Sequence, residues 1–210
     1  MLDDPELRMD GPGKAWGTIA LAHGAGAGMD TPFMTFFAKE LVSRGLQVAR
    51  FEFPYMARNR QTGEKKPPDR QEVLTATWRR VVEMLGAKGL VIGGKSMGGR
   101  IASLIADETG VSGLICLGYP LHPVGKPKQL RVEHLRAIKT PTLIVQGERD
   151  PFGNRDEARG YELSSSIHLR WIKDGDHSFK PRKASGRIEQ QNWLAALDEI
   201  VAFVKELRTE

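Results

Sequence analysis

A serine and two downstream side chains have the residue types and the spacing for acyl chemistry. Ser96 lies in the peptide Gly94-Lys-Ser-Met-Gly98, a G-x-S-x-G pattern that follows an apolar run and precedes a helix-forming segment. In such a pattern a sharp turn between strand and helix exposes the serine hydroxyl, and the glycines let two backbone segments approach closely. A hydroxyl placed in this way can attack an acyl carbon when a base and a carboxylate reach it.

Two later motifs provide the candidate acid and the candidate base. Asp150 follows a strand-like run that begins near Thr142, and His177 follows a strand-like run that ends near Trp171. We predict that His177 removes the proton of Ser96 and returns it to the leaving group, while Asp150 orients the imidazole. The order serine, acid, histidine along the chain is typical of hydrolases with this serine motif.

The acid and the base each have an alternative interpretation. Asp150 precedes Pro151 and could merely cap a turn, in which case Asp174 or Asp176, both close to His177, could be the acid. The histidine could also be a solvated loop residue. The glycine and the phenylalanine on either side of it are typical of a positioned loop, so we keep the first assignment.

The glycine-rich peptide from His23 to Gly28 is the candidate oxyanion loop. A tetrahedral intermediate needs hydrogen-bond donors for its oxyanion. We expect one donor to be the backbone amide of Met97, and the other to be the amide of Ala25, with Gly26 as the neighbouring alternative. A phosphate-binding loop is disfavoured, because the G-x-G-x-x-G spacing and a Walker lysine are both missing. The ring of His23 is expected to support the loop.

Residues that contact the substrate are predicted beside the nucleophile. Lys95 is the variable residue of the serine motif, Gly26 lies in the oxyanion loop, and Tyr119 and His122 follow another strand. Basic residues are denser in the stretch 58–70, which together with Lys95 could give the cleft a positive field that steers an anionic acyl substrate. Solvated surface charge is the alternative explanation of that stretch, and a packed loop residue is the alternative for His122.

Length and composition limit the class of protein. The 210 residues are expected to form one domain over the whole range 1–210. Because the chain has no long uncharged apolar run and no signal-like N-terminus, we expect a cytoplasmic location and no membrane partner. The net charge of +5 is modest, and the basic residues are not interleaved with aromatic ones, so we expect no nucleic-acid partner.

Cysteine and histidine usage predicts neither a disulfide nor a metal site. The single cysteine, Cys116, lies in an apolar run and is expected in the core. His122, His134 and His168 are spaced unlike a zinc motif, so no metal and no cofactor are predicted.

Strand-like and helix-like segments alternate along the chain. This alternation predicts an α/β fold, with a mostly parallel sheet of about six to seven strands and helices on both faces. The stretch 54–68 is expected to be a loop that overhangs the site, and Asp69 and Glu72 are expected to cap the following helix. A further helix is predicted at 154–164 and an edge strand at 167–171. Only some twenty residues separate Tyr119 from Ala137, so no large lid insertion is expected.

From about Trp16 to Leu207 the chain resembles the α/β-hydrolase superfamily. The Ser96 motif and the peptides that end at Asp150 and His177 carry this resemblance. It implies the α/β-hydrolase fold and a Ser-Asp-His triad.

The small size is similar to that of dienelactone-hydrolase-like proteins, although those use a cysteine nucleophile where this chain has a serine. The peptides 23–26, 53–55 and 94–100 resemble more closely a branch with testis-expressed-type hydrolase-like proteins and a non-histone subunit of an NSL acetyltransferase complex. This branch implies no particular substrate.

The function that we predict is a serine hydrolase that cleaves small acyl esters or thioesters through an acyl-enzyme. Without a large lid, small esters suit the site better than long lipids. Two alternatives stay open: a non-catalytic scaffold or interaction module that retains the hydrolase fold, and an acyltransferase that uses an acceptor other than water.

Overall fold

A computed structural model describes residues 4–208 and contains one seven-stranded sheet. In spatial order the strands are β1, β3, β2, β4, β5, β6 and β7; β1 is antiparallel to β3, and every other neighbouring pair is parallel. The strands are β1 Arg8–Asp10, β2 Thr18–Ala22, β3 Gln47–Phe51, β4 Leu90–Lys95, β5 Gly113–Leu117, β6 Thr142–Gly147 and β7 Ile167–Ile172.

Helices cover both faces of this sheet. Side chains of α1 and α7 pack on one face, in an apolar cluster that includes Phe37, Ile200 and Leu21. Side chains of α3 and α4 pack on the other face, in a cluster that includes Trp78 and Ile92. The predicted α/β-hydrolase fold with a mostly parallel sheet is therefore confirmed. The helices are α1 Pro32–Ser43, α2 Pro54–Thr62, α3 Gln71–Leu85, α4 Met97–Ser103, α5 Ala106–Thr109, α6 Arg155–Ala158 and α7 Glu189–Glu206.

Burial explains why the central strands are easy to recognise and β1 is not. Every residue of β5 and β6 is buried, because helices cover both of their faces, so each strand is a continuous apolar run with few exceptions. The edge strand β7 alternates between partly buried and exposed residues, as predicted. Strand β1 is short and largely exposed. It is held by Arg50 of β3, whose Nε and Nη2 donate to the carboxylate of Asp10 over 2.7 and 3.0 Å.

The prediction of a loop over 54–68 is wrong, because α2 occupies Pro54–Thr62. Pro54 begins the helix at a position that tolerates a missing amide hydrogen, and Gly63 ends it in the left-handed conformation. Tyr55 is its only buried residue. Without an apolar stripe, the segment offered no helical periodicity to detect.

Two helix boundaries also differ from the expectation. Asp69 does not cap α3: its carboxylate accepts from the amide of Tyr55 over 2.8 Å and pairs with Arg58, so it ties α2 to the start of α3. The helix expected at 154–164 is limited to Arg155–Ala158, where Asn154 and Glu157 form a capping box. Within residues 4–208, none of the helices is long and apolar enough to cross a membrane.

Candidate active site

Ser96 lies at the turn between β4 and α4, in a strained backbone conformation. Its φ of 51° is in the left-handed region, which residues other than glycine rarely adopt. A Cβ at Gly98 would lie 2.5 Å from the carbonyl oxygen of Ala22, and one at Gly94 would collide with the same oxygen. The two glycines of the motif are thus required by the close approach of β2 to the turn.

Ser96, His177 and Asp150 form one chain of hydrogen bonds. His177 Nε2 lies 2.9 Å from Ser96 Oγ, and His177 Nδ1 lies 2.8 Å from Asp150 Oδ2. Because a carboxylate can only accept, Nδ1 carries the hydrogen and Nε2 accepts from the serine hydroxyl. The carboxyl ends of parallel strands share one edge of a sheet, and the residues that follow β4, β6 and β7 meet there.

Asp174 and Asp176, the alternative acids, have other partners. The Asp174 carboxylate accepts from the backbone and side chain of Arg182. Asp176 Oδ1 accepts from the amides of Ser178 and Lys180 over 2.8 and 2.9 Å and so folds the histidine loop. Asp150 is the carboxylate that contacts the imidazole.

Gln146 in β6 holds the acid, and the sequence analysis missed it. Its Nε2 donates to Asp150 Oδ2 over 2.9 Å and to the carbonyl oxygens of Tyr119 and Gly153. The other carboxylate oxygen of Asp150 accepts from the amide of Phe152 over 2.8 Å. Asp150 and Gln146 are both fully buried. An amide within an otherwise apolar strand is the signal that could have identified Gln146.

The surroundings of His177 keep its imidazole uncharged. Burial lowers the pKa of His177 below its ordinary value; the hydrogen bond to Asp150 opposes this shift, and the positive charge of Lys95 adds to it. The ring of Phe152 lies against the imidazole, with 4.3 Å between the centroids. An uncharged imidazole with a free electron pair on Nε2 is the form that can accept the serine proton.

The glycine-rich loop, the candidate oxyanion loop, is held by the side chains of His23 and Tyr55. His23 Nδ1 donates to the carbonyl of Gly24 over 2.7 Å, while its Nε2 accepts from the amide of Phe53 over 3.1 Å. Burial lowers the pKa of His23, which is consistent with this uncharged ring. The Tyr55 hydroxyl donates to the carbonyl of Ala25 over 2.9 Å. The ring of His23 supports the loop, as expected.

A cleft of about 360 Å³ opens directly in front of the serine. Ala25, Gly26, Ser96 and His177 line it, so the structure brings together the candidate nucleophile, the candidate base and the glycine-rich loop. Met97 follows the serine as the first residue of α4. The rest of the wall is mostly apolar or weakly polar, and is formed by Gly24, Ala27, Thr31, Phe33, Met34, Lys95, Phe152 and Ser178.

Tyr119 and His122 do not line this cleft, contrary to the prediction. Tyr119 is fully buried and its hydroxyl donates to the carbonyl of Arg131 over 2.9 Å. His122 is 2 % exposed and its Nε2 lies 3.2 Å from the carboxylate of Glu157. After β5 both side chains are buried against other segments, Tyr119 against Arg131 and His122 against Glu157, and neither lines the cleft.

Arg58 and Arg60 of the basic stretch 58–70 are paired with carboxylates and do not line the cleft. Arg58 pairs with Asp69, and Arg60 pairs with Glu52, so the two arginines are matched by carboxylates. They line a separate cavity of about 630 Å³ that does not include Ser96. The alternative explanation, surface charge away from the site, fits these contacts.

Lys95 lines the cleft, but its ammonium is directed into the protein. It donates to the backbone carbonyl of His177 and lies 5.4 Å from the ring centroid of Phe33. Burial lowers the pKa of Lys95 to about 8. Within residues 4–208 there is no group of three or more histidine, cysteine or acidic side chains that could hold a metal ion.

The α/β-hydrolase class is defined by a mostly parallel sheet in which one strand is followed by a serine in a strained turn and then by a helix. An acid and a histidine follow later strands. Residues 16–205 match the family of the alpha/beta hydrolase domain, and the chain belongs to this family. Membership of this family supports hydrolase activity in general, on a small-molecule substrate.

Solved structures with the same fold include three small hydrolases. A serine hydrolase homologue from Coxiella burnetii is 21 % identical with a TM-score of 0.66, over 97 % of this chain and 91 % of that chain. A serine hydrolase without a lid from Xanthomonas campestris is 18 % identical with a TM-score of 0.71, over 96 % and 88 %. A dienelactone hydrolase from Anabaena variabilis is 20 % identical with a TM-score of 0.63, over 92 % and 96 %. The resemblance to small α/β hydrolases is therefore confirmed.

Proposed function

We propose that this protein is a serine hydrolase that cleaves small acyl esters or thioesters through an acyl-enzyme. The observation that carries the proposal is the continuous hydrogen-bonded chain from Asp150 through His177 to Ser96, which ends at an open cleft. We further propose that residues 1–210 form one domain that works without a large lid.

In the first half-reaction Ser96 Oγ attacks the acyl carbon while its proton passes to His177 Nε2. The imidazolium that forms donates through Nδ1 to Asp150, whose negative charge stabilises it. The carbonyl oxygen becomes an oxyanion, for which the backbone amides of Met97 and Ala25 are the proposed donors. Collapse of this intermediate breaks the bond to the leaving group, which takes the proton from Nε2 and departs as an alcohol or a thiol.

In the second half-reaction water replaces the leaving group. His177 accepts a proton from the water as it attacks the acyl carbon of the ester on Ser96. The second tetrahedral intermediate then collapses, the proton returns to Ser96 Oγ, and the acid is released. An acyltransferase would differ only in the acceptor, since the same base would activate an alcohol or an amine.

The cleft supports a small, uncharged acyl group. Phe33, Met34 and Phe152 provide apolar wall on the side of the serine, and the volume of about 360 Å³ is at the lower end of ligand sites. Lys95, the cation in this wall, is engaged with a protein carbonyl. These contacts favour neutral esters over the anionic substrates that the basic stretch had suggested.

Labelling with a fluorophosphonate probe tests the proposal against a scaffold that has lost its activity. We expect the wild type to be labelled and to hydrolyse short aryl esters or thioesters. The variant Ser96→Ala should not be labelled and should lose turnover by a factor on the order of 10⁴ or more. Thermal unfolding of both proteins is the control for folding. A folded wild type that neither reacts with the probe nor hydrolyses any ester would support the scaffold instead.

A further inference from the structure

We propose that Lys95 is a positioning residue that holds the histidine loop against the nucleophile strand and keeps the imidazole in its basic form. The inference rests on the proposed hydrolase function and adds a part to it. Lys95 directly precedes Ser96, so one short peptide carries both the nucleophile and the cation that contacts the loop of the base.

The contact itself is a hydrogen bond across a long sequence separation. Lys95 Nζ donates to the backbone carbonyl of His177, although the two residues are 82 positions apart. The imidazole of the same residue contacts Ser96 Oγ over 2.9 Å. His177 is therefore fixed at two points to adjacent residues of the motif, by its backbone and by its ring.

Gly118, directly after β5, provides the space for this contact. Its φ is +67°, and a Cβ there would lie 2.7 Å from the His177 carbonyl oxygen and 2.9 Å from Lys95 Nζ. On another side the ammonium lies 5.4 Å from the ring centroid of Phe33, a distance at which a cation is attracted to an aromatic face. The ammonium thus occupies a space that exists only because residue 118 has no side chain.

The charge of Lys95 acts on the imidazole as well. Three charged side chains affect His177: Asp150 and Asp176 favour its protonated form, and Lys95 opposes it. The same two carboxylates favour the charged form of Lys95, although burial lowers its pKa to about 8. Near neutral pH the ammonium is therefore charged, and it offsets part of the negative charge that would otherwise hold a proton on the base.

Three substitutions separate the hydrogen bond from the charge. Lys95→Met removes both, Lys95→Gln removes the charge while its amide hydrogens keep a possible donor, and Lys95→Arg keeps both. The measurement is kcat/KM for a neutral aryl ester as a function of pH, with kcat and KM resolved at the optimum. Thermal unfolding reports the folding of each variant.

We expect Lys95→Met to lower kcat by about 10- to 100-fold with little change in KM, since a misplaced base costs rate and not affinity. In Lys95→Met and Lys95→Gln the acidic limb of the profile should move to higher pH, because without the cation the imidazole is protonated more readily. Lys95→Arg should restore the limb to that of the wild type. If Lys95→Met fails to fold, the acidic limb of Lys95→Gln decides.

An acidic limb that stays in place in the folded uncharged variants would overturn the proposal. It would also be overturned if KM for an anionic ester rose while kcat and KM for the neutral ester stayed constant, because Lys95 would then be a substrate contact. Failure of the proposed function has a different signature, namely that Ser96→Ala retains the activity of the wild type whatever residue stands at 95.

Discussion

The amide of Gln146 donates to Asp150 Oδ2 over 2.9 Å, and this is the oxygen that accepts from His177. The carboxylate is thus held by a side chain of the preceding strand as well as by its own turn, in which Phe152 donates to Oδ1. Asp150 is fully buried, and these three groups of the protein hold the orientation of its carboxylate.

The variant Gln146→Leu tests this support of the acid. Loss of the amide leaves the carbonyls of Tyr119 and Gly153 without this donor, and we expect a loss of about 2 kcal/mol in the free energy of unfolding. We also expect kcat to fall about 10-fold, because the carboxylate loses one of the bonds that align it. Denaturant unfolding and steady-state kinetics measure the two effects.

Thr142→Val is the matched control for that variant. Thr142 lies in the same strand, is fully buried and donates to a backbone carbonyl over 2.8 Å, but it does not contact the acid. It should lose stability without a change in kcat. Equal effects of both variants on kcat would contradict a specific role of Gln146.

The variant Asp150→Asn should lose about 10⁴-fold in kcat. Oδ1 of the acid accepts from the Phe152 amide, and Oδ2 accepts from His177 and Gln146. An asparagine amide would therefore face a hydrogen-bond donor in either orientation. The favoured tautomer of His177 would be lost with the charge.

Asp176→Asn is the comparison that separates the two candidate acids. Its Oδ1 accepts from two backbone amides, and an asparagine oxygen can accept from the same amides. We expect kcat to change only a few-fold, because Asp176 does not contact the imidazole, whereas loss of the acid that orients it is far more severe. If Asp176→Asn were the more severe of the two, the assignment of Asp150 as the acid would be wrong.

The activity of the wild type should persist below the ordinary pKa of histidine. His177 must be uncharged to act as a base, and burial together with the charge of Lys95 lowers its pKa below the ordinary histidine value of 6.5. Activity is therefore present above the lowered pKa and is lost as the pH falls through it. A profile of kcat/KM against pH for a neutral ester measures the midpoint; an acidic limb above pH 6.5 would contradict the expected direction.

Tyr55→Phe tests the support of the oxyanion loop. The hydroxyl bond to the Ala25 carbonyl contributes about 1 kcal/mol, by the usual net value of one hydrogen bond. Its loss should lower kcat by a factor on the order of 5 and leave KM nearly unchanged, because an oxyanion donor acts in the transition state. Tyr161→Phe, outside the residues that line the cleft, is the control and should keep the kinetics of the wild type.

The sequence predicts those parts of the fold and the site that depend on periodicity and order. Buried strands are apolar runs, and the residues after parallel strands meet at one edge, so the meeting of Ser96, Asp150 and His177 follows from their positions. The helix α2 could not be predicted, because it buries one residue and therefore has no apolar periodicity.

The side-chain contacts behind the site could not be predicted for a different reason. Lys95 donates to the carbonyl of His177, which is distant in the sequence, and Gln146 reaches Asp150 only because of the turn that follows β6. Neither contact produces a periodic pattern in the sequence. Tyr119 and His122 follow a strand at the correct edge, but both are buried against other segments and neither lines the cleft. The direction of a loop depends on tertiary packing, which residue spacing does not encode.

Phe152 gives the cleft a wall that also covers the base. Its ring lies against the imidazole of His177, whose side chain is 21 % exposed, and it lines the cleft in front of the serine. An acyl group that reaches this ring would cover the exposed part of the imidazole, and the field between base and acid would be screened less as the proton moves. Acyl groups too short to reach the ring would leave the imidazole exposed, so the length of the acyl group would affect turnover as well as affinity.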